Sequence, residues 1–158
     1  MAVEVGSQAP DFTLLNTARE EVSLSSFAGE KVVVLAFYPA AFTGVCEKEL
    51  CTFRDSLTAF NDMSATVLGI SVDGVFSNKA FAEKNELTFD VLSDYERKAV
   101  AAYGVELPDF AGMKGYTAAQ RSVFVVGKDG KVAYAEVTEN PGVEPSYDAV
   151  SAAVKALG

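Results

Sequence analysis

The sequence predicts an α/β fold, a central mixed sheet with helices on both faces, and three observations lead there. The run KVVVLAFYP, Lys31 to Pro39, is continuously apolar and rich in β-branched residues until a proline stops it, the pattern of a strand buried on both faces. Strand-like and helix-like segments then alternate, as they do where helical crossovers join neighbouring strands. Late in the chain, two strand-like runs flank Lys128-Asp129-Gly130-Lys131, a hairpin turn that makes the sheet mixed. At 158 residues the chain is long enough to bury a real core, and residues 1–158 are expected to form a single domain.

Taken in order, DFTLLN (Asp11 to Asn16) and EEVSLSSFAGEK (Glu21 to Lys31) read as a short strand pair followed by a turn. After the buried strand comes a helix, because Phe42, Cys46, Leu50, Phe53, Leu57 and Phe60 recur at spacings of four and three and form one apolar stripe. ATVLGISVD (Ala65 to Asp73) is a second buried strand, and SNKAFAEKNE (Ser77 to Glu86) a helix with Ser77 as its N-cap. FDVLSD (Phe89 to Asp94) is a short strand, and YERKAVAAYG (Tyr95 to Gly104) a helix that Gly104 stops. RSVFVVGKDGKVAYAEV (Arg121 to Val137) is the hairpin, and PSYDAVSAAVKAL closes the chain as a helix, with Pro145 and Ser146 near its start.

Composition narrows the function. The chain is 49% hydrophobic and 22% charged, an ordinary globular balance, with a net charge of −9. That charge argues against nucleic acid or an anionic membrane surface as partner, since both demand a cationic face. The opening MAVEVGSQAPDFTLL shows no basic region followed by an apolar core, and no apolar run approaches bilayer length. The expected address is therefore the cytoplasm, where thiols stay reduced and two cysteines are core or catalytic residues rather than a structural staple.

The chemistry centres on FYPAAFTGVCEKELC, Phe37 to Cys51, which holds both cysteines. Cys46 falls in the first turn of the expected helix, at the C-terminal end of the first buried strand, where open α/β sheets bind ligands. A thiol there can ionise through the unpaired N–H groups of the helix end and a nearby cation, so Cys46 is expected to be a low-pKa nucleophile. The chain has no histidine, which excludes a cysteine–histidine pair. The cation must then be lysine or arginine. Among Arg19, Arg54, Arg97 and Arg121, the last opens an apolar strand and is well placed. Each residue also has a plainer reading. Cys46 fits an inert core position, Cys51 a small flank residue and Arg121 a solvated strand end. Thr43 fits an N-cap, Pro39 a strand terminator, and Glu49 a carboxylate favoured by the first helical turn. Two cysteines without histidine fall short of an ordinary zinc set, and no metal or organic cofactor is expected.

The joint arrangement Pro39, Thr43, Cys46 in PAAFTGVC resembles the active-site motif of the peroxiredoxins, the alkyl hydroperoxide reductase/thiol-specific antioxidant family. GSQAPDFTLLN is similar to that family's opening strand, CEKE carries a glutamate three residues after the cysteine, and QRSVFVVGKDGKV resembles the segment bearing its active-site arginine. The resemblance runs from Gly6 to about Ala135. Within the family, Cys51 at this spacing is similar to the resolving cysteine of the bacterioferritin-comigratory (Q-type) group, whereas FYPAAFTG and TENPGVEPSYDAV are closer to the E-type group, often one-cysteine enzymes. The chain has no Cys-x-x-Cys, which argues against a thioredoxin-like disulfide reductase.

The resemblance implies a thioredoxin-like fold and a thiol-dependent peroxidase. It assigns Cys46 as the residue oxidised to sulfenic acid by hydrogen peroxide or an organic hydroperoxide, and Cys51 as a candidate for closing an intramolecular disulfide. Thr43 would hydrogen-bond thiolate and peroxide, Arg121 would stabilise both, Pro39 would shape the loop, and Glu49 would orient an arginine. The implied reductant is thioredoxin, a glutaredoxin-like protein or a low-molecular-weight thiol, and the implied assembly a homodimer. The rival expectation is a non-catalytic thioredoxin-fold interaction or redox-sensing module with both thiols in the core.

Overall fold

The structure is a computed structural model describing residues 2–157. Its interior strand β3 (Val32–Phe37) is buried at every residue, as the unbroken apolar run requires. Around it a seven-stranded sheet takes the order β2 (Glu21–Ser23), β1 (Thr13–Leu15), β5 (Asp90–Ser93), β4 (Ala65–Ser71), β3, β8 (Ser122–Val126), β9 (Val132–Val137). The β3–β4 and β4–β5 pairs are parallel, while β8 runs antiparallel to β3 and β9 antiparallel to β8, so the sheet is mixed as expected.

Side chains of β3 alternate between two cores. Val33, Leu35 and Phe37 enter one with Ala99, Val100 and Tyr103, contributed by α3 (Lys98–Ala102) and the residue after it. Val32, Val34, Ala36 and Tyr38 enter the other. That second core takes Cys46, Leu50, Phe53 and Phe60 from α1 (Gly44–Asp62), Phe81 from α2 (Val75–Lys84), and Val150 and Val154 from α4 (Tyr147–Leu157). Helices thus cover both faces.

Local details depart from the sequence expectation. The chain leaves β2 directly into a 3-10 turn, Leu24–Phe27. α2 begins at Val75, because the Gly74 carbonyl already accepts the first bond from the Asn78 N–H at 3.0 Å; Ser77 is inside the helix rather than its cap. α3 is shorter than YERKAVAAYG suggests. Asp94 reaches over the turn and accepts from the N–H groups of Ala99 and Val100 at 3.1 and 2.8 Å, while Arg97 takes a left-handed φ of 60°. A separate two-stranded pair, β6 (Glu106–Leu107) with β7 (Ala118–Ala119), has too few residues to show a period in sequence. Phe42 leaves the stripe. It precedes α1, is half exposed, and sets its ring edge-on to Phe81 at 5.5 Å.

Candidate active site

The loop between β3 and α1 reverses the chain over the C-terminal ends of the parallel strands. Pro39 is buried at its start, where a residue without an N–H ends the strand without leaving a donor unpaired. Phe42 then adopts a left-handed φ of 64° and Thr43 an extended one, so that α1 starts at Gly44 and Cys46 is its third residue. Arg121 arrives from the other direction. Phe37 pairs with Ser122 at the end of the antiparallel β3–β8 ladder, so the residue before Ser122 lies where β3 gives way to this loop. That register brings together two residues 75 positions apart.

The two meet directly. Arg121 Nη2 donates to Cys46 Sγ at 2.9 Å, Nη1 to Glu49 Oε1 at 2.6 Å and Nε to the Pro141 carbonyl at 3.0 Å. Cys46 and Glu49 are fully buried and Arg121 is 2% exposed, so the three groups act on one another with little solvent between them. Burial works against the guanidinium charge, but Glu49 and the Cys46 sulfur outweigh it and hold the Arg121 pKa above its ordinary value. Burial pushes the Glu49 carboxyl up to about 7, against the pull of Arg121. Its Oε2 has no hydrogen-bond partner among the described residues, so Arg121 meets the carboxyl at one oxygen only.

Thr43 sits at the N-cap position, yet its hydroxyl makes no capping bond; it donates to the Ala40 carbonyl at 2.9 Å. A pure N-cap role is therefore set aside, and the single hydroxyl proton goes to the backbone rather than to sulfur. Cys51 stands apart from this group. It lies on the same uninterrupted helix as Cys46, partly exposed, with Sγ 3.5 Å from Asn85 Oδ1 at the end of α2; both cysteines are free thiols. Arg121 thus bonds both Cys46 and Glu49, Pro39 and Thr43 lie in the adjoining loop, and Cys51 belongs to the α1–α2 contact.

Sequence reasoning missed two partners. Pro141 acts through a main-chain carbonyl, for which no residue type is a signal. Asp73 accepts from the Ala41 N–H at 2.8 Å, and its place just after β4, at a strand's carboxyl end, was the available clue.

A mixed sheet of this order, with a thiol in the first turn of the helix after the central strand, defines a thioredoxin-fold thiol protein, here one that pairs the sulfur with a buried arginine. Residues 5–135 match the AhpC/TSA family, and the chain belongs to that family, the peroxiredoxins. It is 43% identical over 132 residues to chloroplastic peroxiredoxin Q of Triticum aestivum, covering 84% of this chain and 58% of the wheat protein. It is 39% identical over 142 residues to alkyl hydroperoxide reductase E of Mycobacterium bovis, covering 89% and 88%. The crystal structure of peroxidoxin BcpB from Mycobacterium tuberculosis superposes with a TM-score of 0.85 at 31% identity, covering 98% of each chain. Relatives of both the Q and E types are thus represented. The chain spans little more than half the length of the wheat relative, and most of the mycobacterial one.

Proposed function

We propose that this protein is a thiol-dependent peroxidase that reduces hydrogen peroxide or organic hydroperoxides at Cys46. The observation that carries the reading is the 2.9 Å contact between Cys46 Sγ and an arginine whose remaining nitrogens are held elsewhere. The guanidinium donates to the sulfur and sets its positive charge beside it, and Cys46 lies in the first turn of α1. The thiolate attacks one peroxide oxygen, the O–O bond breaks, and its electron pair goes to the other oxygen. That oxygen takes a proton and leaves as water or alcohol, while the sulfur becomes a sulfenic acid. Arg121 stabilises the charge that develops on the leaving oxygen.

Cys51 is the resolving thiol in this scheme. Five residues along a helix correspond to a rise of about 7.5 Å and a turn of roughly 140°, which puts the two Cα atoms about 8.6 Å apart. A disulfide spans at most about 7 Å without backbone movement. The first turns of α1 must therefore unwind before Cys51 attacks the sulfenic acid, forming the disulfide and releasing water. A thiol reductant then regenerates both cysteines, whether thioredoxin, a glutaredoxin-like protein or a small thiol. The peroxiredoxin resemblance also supports a homodimer, and cysteines used for catalysis rather than as a structural staple suit the cytoplasm, where thiols stay reduced.

The test is intact mass after one equivalent of hydrogen peroxide, for wild type, Cys46→Ser and Cys51→Ser. The expected products are a loss of two hydrogen atoms in wild type, a gain of one oxygen in Cys51→Ser and no change in Cys46→Ser. Wild-type protein of unchanged mass would overturn the peroxidase reading. A gain of one oxygen in wild type, without disulfide, would make Cys51 a bystander and the enzyme a one-cysteine peroxidase.

A further inference from the structure

A single peptide unit, Ala40–Ala41, carries two bonds that bear on the reaction. Its carbonyl accepts the Thr43 hydroxyl at 2.9 Å, and its N–H donates to Asp73 Oδ2 at 2.8 Å. Because a peptide is planar, fixing one edge fixes the other. The orientation of the acceptor that holds the Thr43 proton is therefore set by Asp73, across the plane.

Asp73 is itself well braced. Its Oδ2 also accepts from Ser71 Oγ at 2.8 Å, and its carbonyl accepts from Ser93 Oγ at 2.6 Å. Asn78, on α2, lies beneath and accepts from the Tyr38 hydroxyl at 2.7 Å. Ser71, Ser93, Asn78 and Tyr38 are all buried, so these bonds tie the carboxyl ends of β3, β4 and β5 into one polar floor under the loop. A carboxylate accepting a backbone N–H makes a stronger bond than a neutral acceptor would, which suits a part that must not rotate.

We propose that Asp73 is a positioning residue for peroxide reduction. It fixes the Ala40–Ala41 peptide so that the Thr43 proton stays on Ala40 and the hydroxyl is left to accept the O–H of the incoming hydroperoxide. A hydroxyl with its proton committed presents only lone pairs, so the hydroperoxide is held in the one orientation in which it donates. Without the brace the peptide can turn, the Thr43 proton is freed, and the hydroperoxide can also bind as an acceptor, turned away from in-line attack. Among the described residues Asp73 makes no hydrogen bond or ion pair with Cys46, Glu49 or Arg121, so it acts on substrate orientation rather than on the sulfur. The inference rests on the peroxidase reading above.

The test is a double-mutant cycle on the second-order rate of Cys46 oxidation by hydrogen peroxide, followed in single turnovers. The forms are wild type, Asp73→Ala, Thr43→Val and the double variant, with Asp73→Asn as the conservative control. Asp73→Ala should lower the rate at least about fivefold, the scale of one hydrogen bond. Asp73→Asn should recover most of it, because an amide oxygen still accepts from Ala41. The pH profile of Cys46 alkylation should not move. In the Thr43→Val background, Asp73→Ala should cost less than about twofold more, because the hydroxyl it acts through is gone. Additive losses, a shifted alkylation profile or a wild-type rate in Asp73→Ala would each overturn the proposal. Should Asp73→Ala fail to fold, Asp73→Ser takes its place, keeping a short polar side chain whose oxygen stops short of the Ala41 N–H. Wild-type protein inert to peroxide would remove the peroxidase reading itself; a reactive wild type with an additive cycle removes Asp73 alone.

Discussion

Each nitrogen of Arg121 has a different partner, and that division makes the residue hard to replace. Lysine offers a point charge without a planar fork, so Arg121→Lys should lose at least about tenfold in the rate of sulfenic acid formation, roughly 1.4 kcal/mol in the barrier. A wild-type rate would reduce the role to simple charge. Glu49 gives a pH signature. Its folded pKa of about 7 stands above an unfolded value near 4.3, so the folded state holds the proton more tightly in between. Stability from this group is full below about pH 4.3 and is lost as pH rises through about 7. Denaturation midpoints of wild type should therefore fall from pH 5 to pH 7 relative to those of Glu49→Gln, which cannot titrate; parallel profiles would refute the proton on Glu49. Thr43→Ser should keep much of the rate and Thr43→Val lose it. Thr43→Val removes the bond to the Ala40 carbonyl rather than a cap, so its melting midpoint should report a loss of about 1 kcal/mol while the helicity of α1 is unchanged.

At the level of elements, α1 does two opposed things. In the proposed scheme it holds Cys46 in place for oxidation and keeps Cys51 out of reach for resolution. Its exposed flank is tied by Lys84 to Glu47 at 3.0 Å and by Lys48 to Glu144 at 3.2 Å, ion pairs that water screens and that add little resistance to unwinding. The left-handed Phe42 at its entry is a costly conformation for a bulky residue, retained by the ring contact with Phe81. Amide exchange should therefore quicken across about Thr43 to Arg54 once the disulfide forms, compared with the reduced protein. Equal protection in both states would rule out unwinding. Blocking resolution in Cys51→Ser should also let Cys46 pass more readily to sulfinic acid under excess peroxide, a step the general chemistry of two-cysteine peroxiredoxins already illustrates. This element was largely legible in sequence, because Cys46, Leu50, Phe53 and Phe60 recur at helical spacing. Its entry was not. Phe42 fits the same spacing, and only the turn shows that it packs on α2 instead.

For the molecule as a whole, the sheet and its helices followed from the buried β3 run, the alternation and the hairpin turn. What sequence did not show were contacts made by backbone groups or across long separations. The Pro141 carbonyl and the Asp73–Ala41 bond belong to this class, as does the two-residue β6–β7 pair. The most consequential feature of the plan is that β8 docks on β3 inside the sheet, and that this register delivers Arg121 to Cys46. Pairings between segments so far apart in sequence form slowly, after local helices have appeared. Pulse labelling with iodoacetamide during refolding should thus find α1 formed before the fast thiol emerges; a fast thiol at the earliest times would contradict this order. Biosynthesis imposes the same delay. The ribosome makes Cys46 in the first third of the chain and the arginine that bonds it 75 residues later, so the unfinished polypeptide carries that thiol without its partner until Arg121 and β8 have been made.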